Sequence, residues 1–182
     1  MQSSPTAPGA DLPAAPSTVG ELCIKSVTSM RCYWNQPEKT AAAFLPGGWI
    51  RSGDIGRVDE DGFVYIVDRA KDIIIRGGEN ISSNEVEDCV FELPGARVFE
   101  AAAFGLPDER LGEMLCVAVV GVDGAAISED EVKRHCAQGL AKFKVPAHVF
   151  VRPLSRPLPR SGTGKILKRV LRDEYGGAVQ LA

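Results

Sequence analysis

The segment Leu158-Pro159-Arg160-Ser161-Gly162-Thr163-Gly164-Lys165-Ile166-Leu167 sets one lysine directly behind two glycines and a proline. Glycine and proline make the stretch turn-prone. An ammonium group at the end of such a loop suits gripping a phosphate or carboxylate oxygen. Ile166, Leu167, Val170 and Leu171 then recur at helical spacing, with Lys168, Arg169 and Arg172 between them. A basic turn leading into a helix is therefore the plain alternative. A nucleotide P-loop is excluded. That motif needs a glycine five residues before its Gly-Lys pair and Ser or Thr after it, and here Pro159 and Ile166 hold those places. The lysine is left to meet a phosphate held elsewhere.

Charge is unevenly spread around this loop. From Asp54 to Glu131 there are 19 acidic and 6 basic residues; from Val132 to Arg172 there are 11 basic and no acidic ones. The second stretch is expected to form a local cationic surface, open to nucleic acid, acidic membranes or a polyphosphate ligand. None of the two Trp and three Tyr lies among those basic residues, which argues against stacking on nucleobases. The five cysteines, Cys23, Cys32, Cys89, Cys116 and Cys136, form no C-x-x-C pair. Cys89 and Cys116 read as small core residues, and the set reads as reduced and cytoplasmic. His135 and His148 lack metal-ligand spacing. No stretch approaches a membrane span and no secretory leader pattern opens the chain.

The elements that must position these residues follow from periodicity. The 182 residues, 45% hydrophobic, suffice for one ordinary domain or a domain plus a fragment. Residues 1–18, rich in Pro, Ala and Ser, are expected to be a loose, disordered arm. Residues 20–26 alternate as a strand, Pro37–Phe44 suit a short helix, and Trp49–Asp54 a strand running into a turn. Asp61-Gly62 between apolar runs signals a hairpin over residues 56–67. Asp68-Arg69-Ala70-Lys71-Asp72 carries four charges in five residues and suits a linker or a solvated turn. Beyond it come a short strand at Ile73–Ile75, a glycine turn at 76–80, and a helix from about Asn84 to Phe91. Strands at 98–105 and 114–122, a helix from 128 to about Leu140, a strand at 148–151 and a final helix complete the pattern. Ser82-Ser83-Asn84-Glu85 and Ser128-Glu129-Asp130-Glu131 are capping boxes for the first two of these helices. The continuous apolar run at 114–122 predicts a sheet covered on both faces. The fold class is α+β: a small C-terminal domain, with a short sheet and packed helices, preceded by a β-rich segment.

Four stretches, in order, carry a resemblance. They are Gly48-Trp49-Ile50-Arg51-Ser52-Gly53-Asp54; Asp68-Arg69-Ala70-Lys71-Asp72; Arg76-Gly77-Gly78-Glu79-Asn80 through Glu85-Val86-Glu87; and Pro159-Arg160-Ser161-Gly162-Thr163-Gly164-Lys165. Together they resemble the adenylate-forming superfamily, over roughly residues 19–175. The resemblance implies an AMP-forming acid–thiol ligase of the fatty-acyl or related acyl-CoA synthetase kind. Such enzymes adenylate a carboxylic acid with ATP, releasing pyrophosphate, then pass the acyl group to coenzyme A with loss of AMP. It implies that Asp54 holds the ribose hydroxyls and that Arg69 reaches ribose or phosphate. Ile66 would touch the nucleoside, and Lys71 would be the hinge. Gly77 and Gly78 would approach the pantetheine arm. Lys165 would bridge the attacking carboxylate and the phosphate.

The same resemblance sets the expected layout: 19–68 as the end of a large nucleotide-binding N-terminal domain, 69–72 as hinge, 73–176 as the C-terminal domain, 177–182 as tail. The family's phosphate loop, its adenine- and magnesium-contacting segment and its acid pocket have no match. The chain is therefore expected to be inactive or nearly so alone, to need an N-terminal domain, and to carry no ligand of its own for the Mg²⁺ of the full enzyme. Ser52 stands where threonine is commoner and keeps the hydroxyl. A binding or regulatory module, or half of a split enzyme working in trans, stays open. An amino-acid adenylation fragment fits Arg76–Ile81 less well, and neither nucleic acid nor a membrane span is expected.

Overall fold

The computed structural model describes residues 2–4 and 18–179. They form two compact units, Met1–Lys71 and Asp72–Ala182.

The first unit is an antiparallel sheet. Its strands are β1 (Gln2–Ser4), β2 (Gly20–Ile24), β3 (Phe44–Leu45), β4 (Trp49–Val58) and β5 (Val64–Arg69), with helix α1 (Pro37–Ala43) between β2 and β3. Strand β4 is the hub, pairing with β2, β3 and β5, while β1 pairs with β2. The loose arm expected at 1–18 is corrected at Gln2–Ser4, which lie in register with Glu21–Cys23 on the open edge of β2. The rest of that arm falls outside the described residues, apart from Thr18. The turn expected after Asp54 is also absent. Strand β4 runs through it to Val58, absorbing an irregularity between Ile55 and Gly56. Asp54 is thereby a strand residue, held by a ladder rather than by a turn. The predicted hairpin is present: Asp59 receives the amides of Asp61 and Phe63 on its carboxylate, and Val58 pairs with Val64.

The second unit contains β6 (Ile74–Arg76), β7 (Glu79–Ile81), α2 (Ser83–Phe91), β8 (Val98–Asp108), β9 (Gly112–Gly121), α3 (Glu129–Gly139), β10 (His148–Arg152) and α4 (Lys168–Val179). Strand β9 is central. It pairs antiparallel with β8 over its length, parallel with β10, and with β6 at Arg76–Gly112. A parallel neighbour needs a crossover, which α3 provides. Alternation along β8 and β9 builds two cores. Ala101, Ala103, Leu115, Val117 and Val119 face Val86, Val90, Val132 and Cys136 of α2 and α3. Ala102, Phe104, Leu106, Cys116, Ala118 and Val120 face Leu158 and Leu171. The sheet is covered on both faces, as the apolar run of β9 predicts. Both serine N-caps form: Ser82 accepts the amide of Glu85, and Ser128 that of Glu131.

Two boundaries differ from expectation. Helix α4 begins at Lys168, not Ile166, and passes the expected limit at 176 to reach Val179; residues 180–182 lie outside the described set. The short strand β7 carries no strong alternation and was not anticipated; it exists because it closes a hairpin on β6.

Candidate active site

In the first unit, Asp54 and Arg69 face each other across the β4–β5 ladder. Arg69 Nε lies 3.3 Å from Asp54 Oδ1, and both side chains stay accessible to solvent. The backbone around Asp54 is braced from three sides. Its amide donates to Ser52 Oγ (3.0 Å), the Gly53 amide donates to Glu21 Oε1 (3.2 Å), and the Ala70 amide donates to the Gly53 carbonyl (2.8 Å). Glu21 also pairs with Arg51 at 2.6 Å. The hydroxyl of Ser52 thus has a local task that threonine would share. Ile66, three residues before Arg69 on the same strand, is 65% exposed. Lys71 is exposed and is the last residue of this unit.

In the second unit, Gly77 and Gly78 form the two-residue turn between β6 and β7, with φ of +60° and +88°. Positive φ at both central positions is the demand of a type I′ hairpin turn, which glycine meets without strain. The Gly77 amide donates to the Leu111 carbonyl at 2.7 Å, and Glu113 Oε2 accepts the Ile75 amide at 2.7 Å. The turn is therefore tied to the start of β9.

Lys165 is exposed at the end of a closed hairpin rather than on a slack loop. Arg160 and Ile166 form an antiparallel bridge. The Ser161 amide donates to the Lys165 carbonyl (2.8 Å), the Gly164 amide to the Ser161 carbonyl (2.9 Å), and the Leu167 amide to the Pro159 carbonyl (2.7 Å). Ser161 Oγ accepts the Lys165 amide at 3.2 Å and lies 2.8 Å from Thr163 Oγ1. Gly164, at φ +82°, makes the reversal. The turn-prone stretch is thus a hydrogen-bonded hairpin, which explains the late start of α4. Ile166 and Leu167 have helical spacing, but their backbone is engaged in closing the hairpin.

Two anchors were not anticipated. Glu100, 6% exposed on β8, receives the Leu158 amide and the Arg160 guanidinium. Lys168 Nζ, at the first turn of α4, contacts Ser83 Oγ (2.6 Å) and Glu87 Oε1 (2.8 Å) of α2. The only sequence signal for Glu100 is a lone carboxylate in an apolar run, which demands a partner when buried.

The basic stretch is not the open cationic surface expected from charge counting. Lys133, Lys144, Arg152, Arg156, Arg160, Lys168 and Arg169 each pair with an acidic side chain. Their partners are Glu129, Glu85, Glu174, Glu100, Glu87 and Asp173, of which four lie before Val132 in sequence. Folding sets acidic side chains of the first stretch against basic ones of the second, which lowers the local charge.

An exposed lysine on a hydrogen-bonded hairpin and a braced Asp–Arg pair are components suited to anionic and diol-bearing ligands. Residues 85–165 match the family described as the AMP-binding enzyme C-terminal domain, which places that segment of the chain in the family. Its relatives agree. A long-chain-fatty-acid–CoA ligase of Mycobacterium tuberculosis is 45% identical over 160 residues, which are 88% of this chain and 30% of that ligase. A fatty acid–[acyl-carrier-protein] ligase of Streptomyces coeruleorubidus is 43% identical over 170 residues, 93% of this chain and 31% of that protein. The crystal structure of ATP-bound MatB from Rhodopseudomonas palustris superimposes with a TM-score of 0.86 at 35% identity, over 96% of this chain and 33% of that one. The chain thus spans about a third of the length of these proteins.

Proposed function

We propose that this chain supplies the C-terminal part of an AMP-forming acid–thiol ligase, a fatty-acyl or related acyl-CoA synthetase. In the first step a substrate carboxylate oxygen attacks the α-phosphorus of ATP; an O–P bond forms and pyrophosphate leaves. In the second, the sulfur of coenzyme A attacks the acyl carbonyl, gives up its proton and expels AMP. The observation that carries this reading is the hydrogen-bonded hairpin 159–167, which holds one exposed lysine inside the matched domain. Two anions must meet in the first step. A cation that engages both lowers their repulsion and stabilises charge developing at phosphorus. Lys165 takes that role.

Asp54 accepts the ribose hydroxyls through its two carboxylate oxygens. Arg69, already beside it, steadies the carboxylate and reaches toward ribose or phosphate. Ile66 offers an apolar contact to the nucleoside. The Gly77–Gly78 turn approaches the pantetheine arm, and Lys71 is the pivot between 19–68 and 73–176. Mg²⁺ arrives as part of the ATP substrate; no group of three or more His, Cys, Asp or Glu side chains among the described residues is arranged to hold a metal. An N-terminal domain with the phosphate loop and the acid pocket is the proposed partner, because no segment of these 182 residues matches either. Unit one supports that need. Leu22 and Cys23 are its only buried apolar side chains among the described residues, while Trp34 and Phe63 are 87% and 66% exposed. A sheet stabilises by burying a face against another layer. Five free thiols suit a reducing compartment, and the cytoplasm is the proposed location. No helix among the described residues is long and apolar enough to cross a membrane.

A hybrid tests the reading: this chain joined behind the N-terminal two thirds of the Mycobacterium tuberculosis ligase. Lys165→Ala in that hybrid should lower adenylate formation by about 10²–10³-fold, while thioester formation from supplied acyl-adenylate persists. Equal loss of both half-reactions would make the lysine structural and sink the assignment.

A further inference from the structure

We propose that Glu100 and Arg160 form a positioning clamp that sets where Lys165 is presented. Glu100 sits on β8 on the same face as Ala102 and Phe104, among apolar neighbours, with its side chain 7% exposed. Holding a carboxylate there is costly unless it is fully hydrogen-bonded. Its bonds all go to one segment. Oε2 accepts the Leu158 amide at 2.7 Å, and Oε1 accepts Arg160 Nη2 at 2.6 Å and Nε at 3.2 Å. Arg160 then spends its remaining terminal nitrogen across the hairpin. Nη1 donates to the Gly164 carbonyl at 2.6 Å, the group directly preceding Lys165. Two links therefore join a buried strand residue to the peptide that carries the lysine.

The clamp has something to restrain. Gly162 and Gly164 have no heavy atom within 4 Å of where a Cβ would stand, so packing does not fix the tip. Leu158 and Ile166 pack the base of the hairpin on the core, and beyond them the Arg160 guanidinium fork ties the tip to Glu100 of β8. Arginine suits this task because its planar fork serves two acceptors at once. Lysine at 160 would keep the charge but lose the bridge. Arg160 is not a core residue; its side chain is 44% exposed, so replacing it need not unfold the domain. The clamp acts on Lys165 through the backbone and touches no reacting atom.

The catalytic consequence rests on the adenylation reading above, and the test separates the two. In the 182-residue chain, Arg160→Ala should speed amide exchange at Gly164 and Lys165 by about ten- to a hundredfold, the weight of a lost charge-assisted hydrogen bond. Amides of β9 should not change. In the hybrid ligase the same variant should lower kcat for adenylation by a similar factor with KM for ATP unmoved, and Arg160→Lys should not restore it. Glu100→Gln should reproduce both effects in weaker form. Unchanged exchange at Gly164 and Lys165 would overturn the clamp. Faster exchange with full adenylation, beside an inactive Lys165→Ala, would overturn its catalytic role alone. Full adenylation by Lys165→Ala would instead overturn the functional reading, and the catalytic part of this inference with it.

Discussion

Asp54 and Lys165 illustrate two ways a chain places a charged group. Asp54 is held by its strand: the ladder sets Arg69 opposite, Ser52 accepts its own amide, and Glu21 accepts the amide of Gly53 before it. Lys165 is held by a hairpin whose own body is held by Glu100. Motif reading singles out Asp54, Arg69 and Lys165, because charged or glycine-flanked residues announce themselves. It missed Glu100, whose neighbours in sequence are valine, phenylalanine and alanines and whose partners lie some 60 residues away. The cysteines show the same scale at work. Cys116 and Cys136 are fully buried, and burial pushes both thiols up to about 12. At pH 8 only about one in 10⁴ of either would be thiolate, the reactive form. Cys32 is the exposed one of the five. A thiol reagent at pH 8 should therefore label Cys32 rapidly and the others only on unfolding; rapid labelling of Cys116 or Cys136 in the native chain would contradict the packing.

At the scale of elements, α4 is the piece whose attachment matters most to the candidate site, since it leaves the Lys165 hairpin directly. It is held at its start by Lys168 on Ser83 and Glu87, and further along by Arg152 of β10. Arg152, 7% exposed, bonds Glu174 at 3.0 Å, Tyr175 Oη at 3.0 Å and the Arg156 carbonyl at 3.1 Å. The Tyr175 ring stacks on Phe150 with centroids 3.9 Å apart. Removing one partner of a largely buried charged network leaves the others unpaired. Arg152→Ala should lower unfolding free energy by roughly 3 kcal/mol in urea titration, and a change under about 1 kcal/mol would show that water replaces the arginine. Helices α2 and α3 were legible because Ser-x-x-Glu caps and spacing of apolar residues are local signals. The start of α4 was not, because Ile166 and Leu167 have helical spacing but spend their backbone bonds on Arg160 and Pro159.

For the whole molecule, the division falls between Lys71 and Asp72, within the charged run that ends β5. If Lys71 is the pivot, proline there should interfere, because its ring locks φ near about −65° where the backbone must rotate. Lys71→Pro in the hybrid ligase should leave adenylation near normal and slow the thiol step; normal rates in both steps would remove Lys71 from that role. The balance of charge is also a whole-molecule property. The acidic and basic halves of the sequence neutralise each other through long-range pairs such as Lys144–Glu85 and Lys168–Glu87.

The sequence by itself determined the fold class, most elements of the second unit and the family. Each rests on short-range information: periodicity, caps, glycine turns and motifs a few residues long. Tertiary structure alone decided how Lys165 is presented, what Glu100 and Arg160 do, and where the basic residues spend their charge. Those outcomes depend on pairs some 60 to 85 residues apart, such as Arg160 with Glu100 and Lys168 with Ser83. No local pattern encodes which buried carboxylate will meet which arginine, because that choice is made by the packing of α4 and its hairpin against β8.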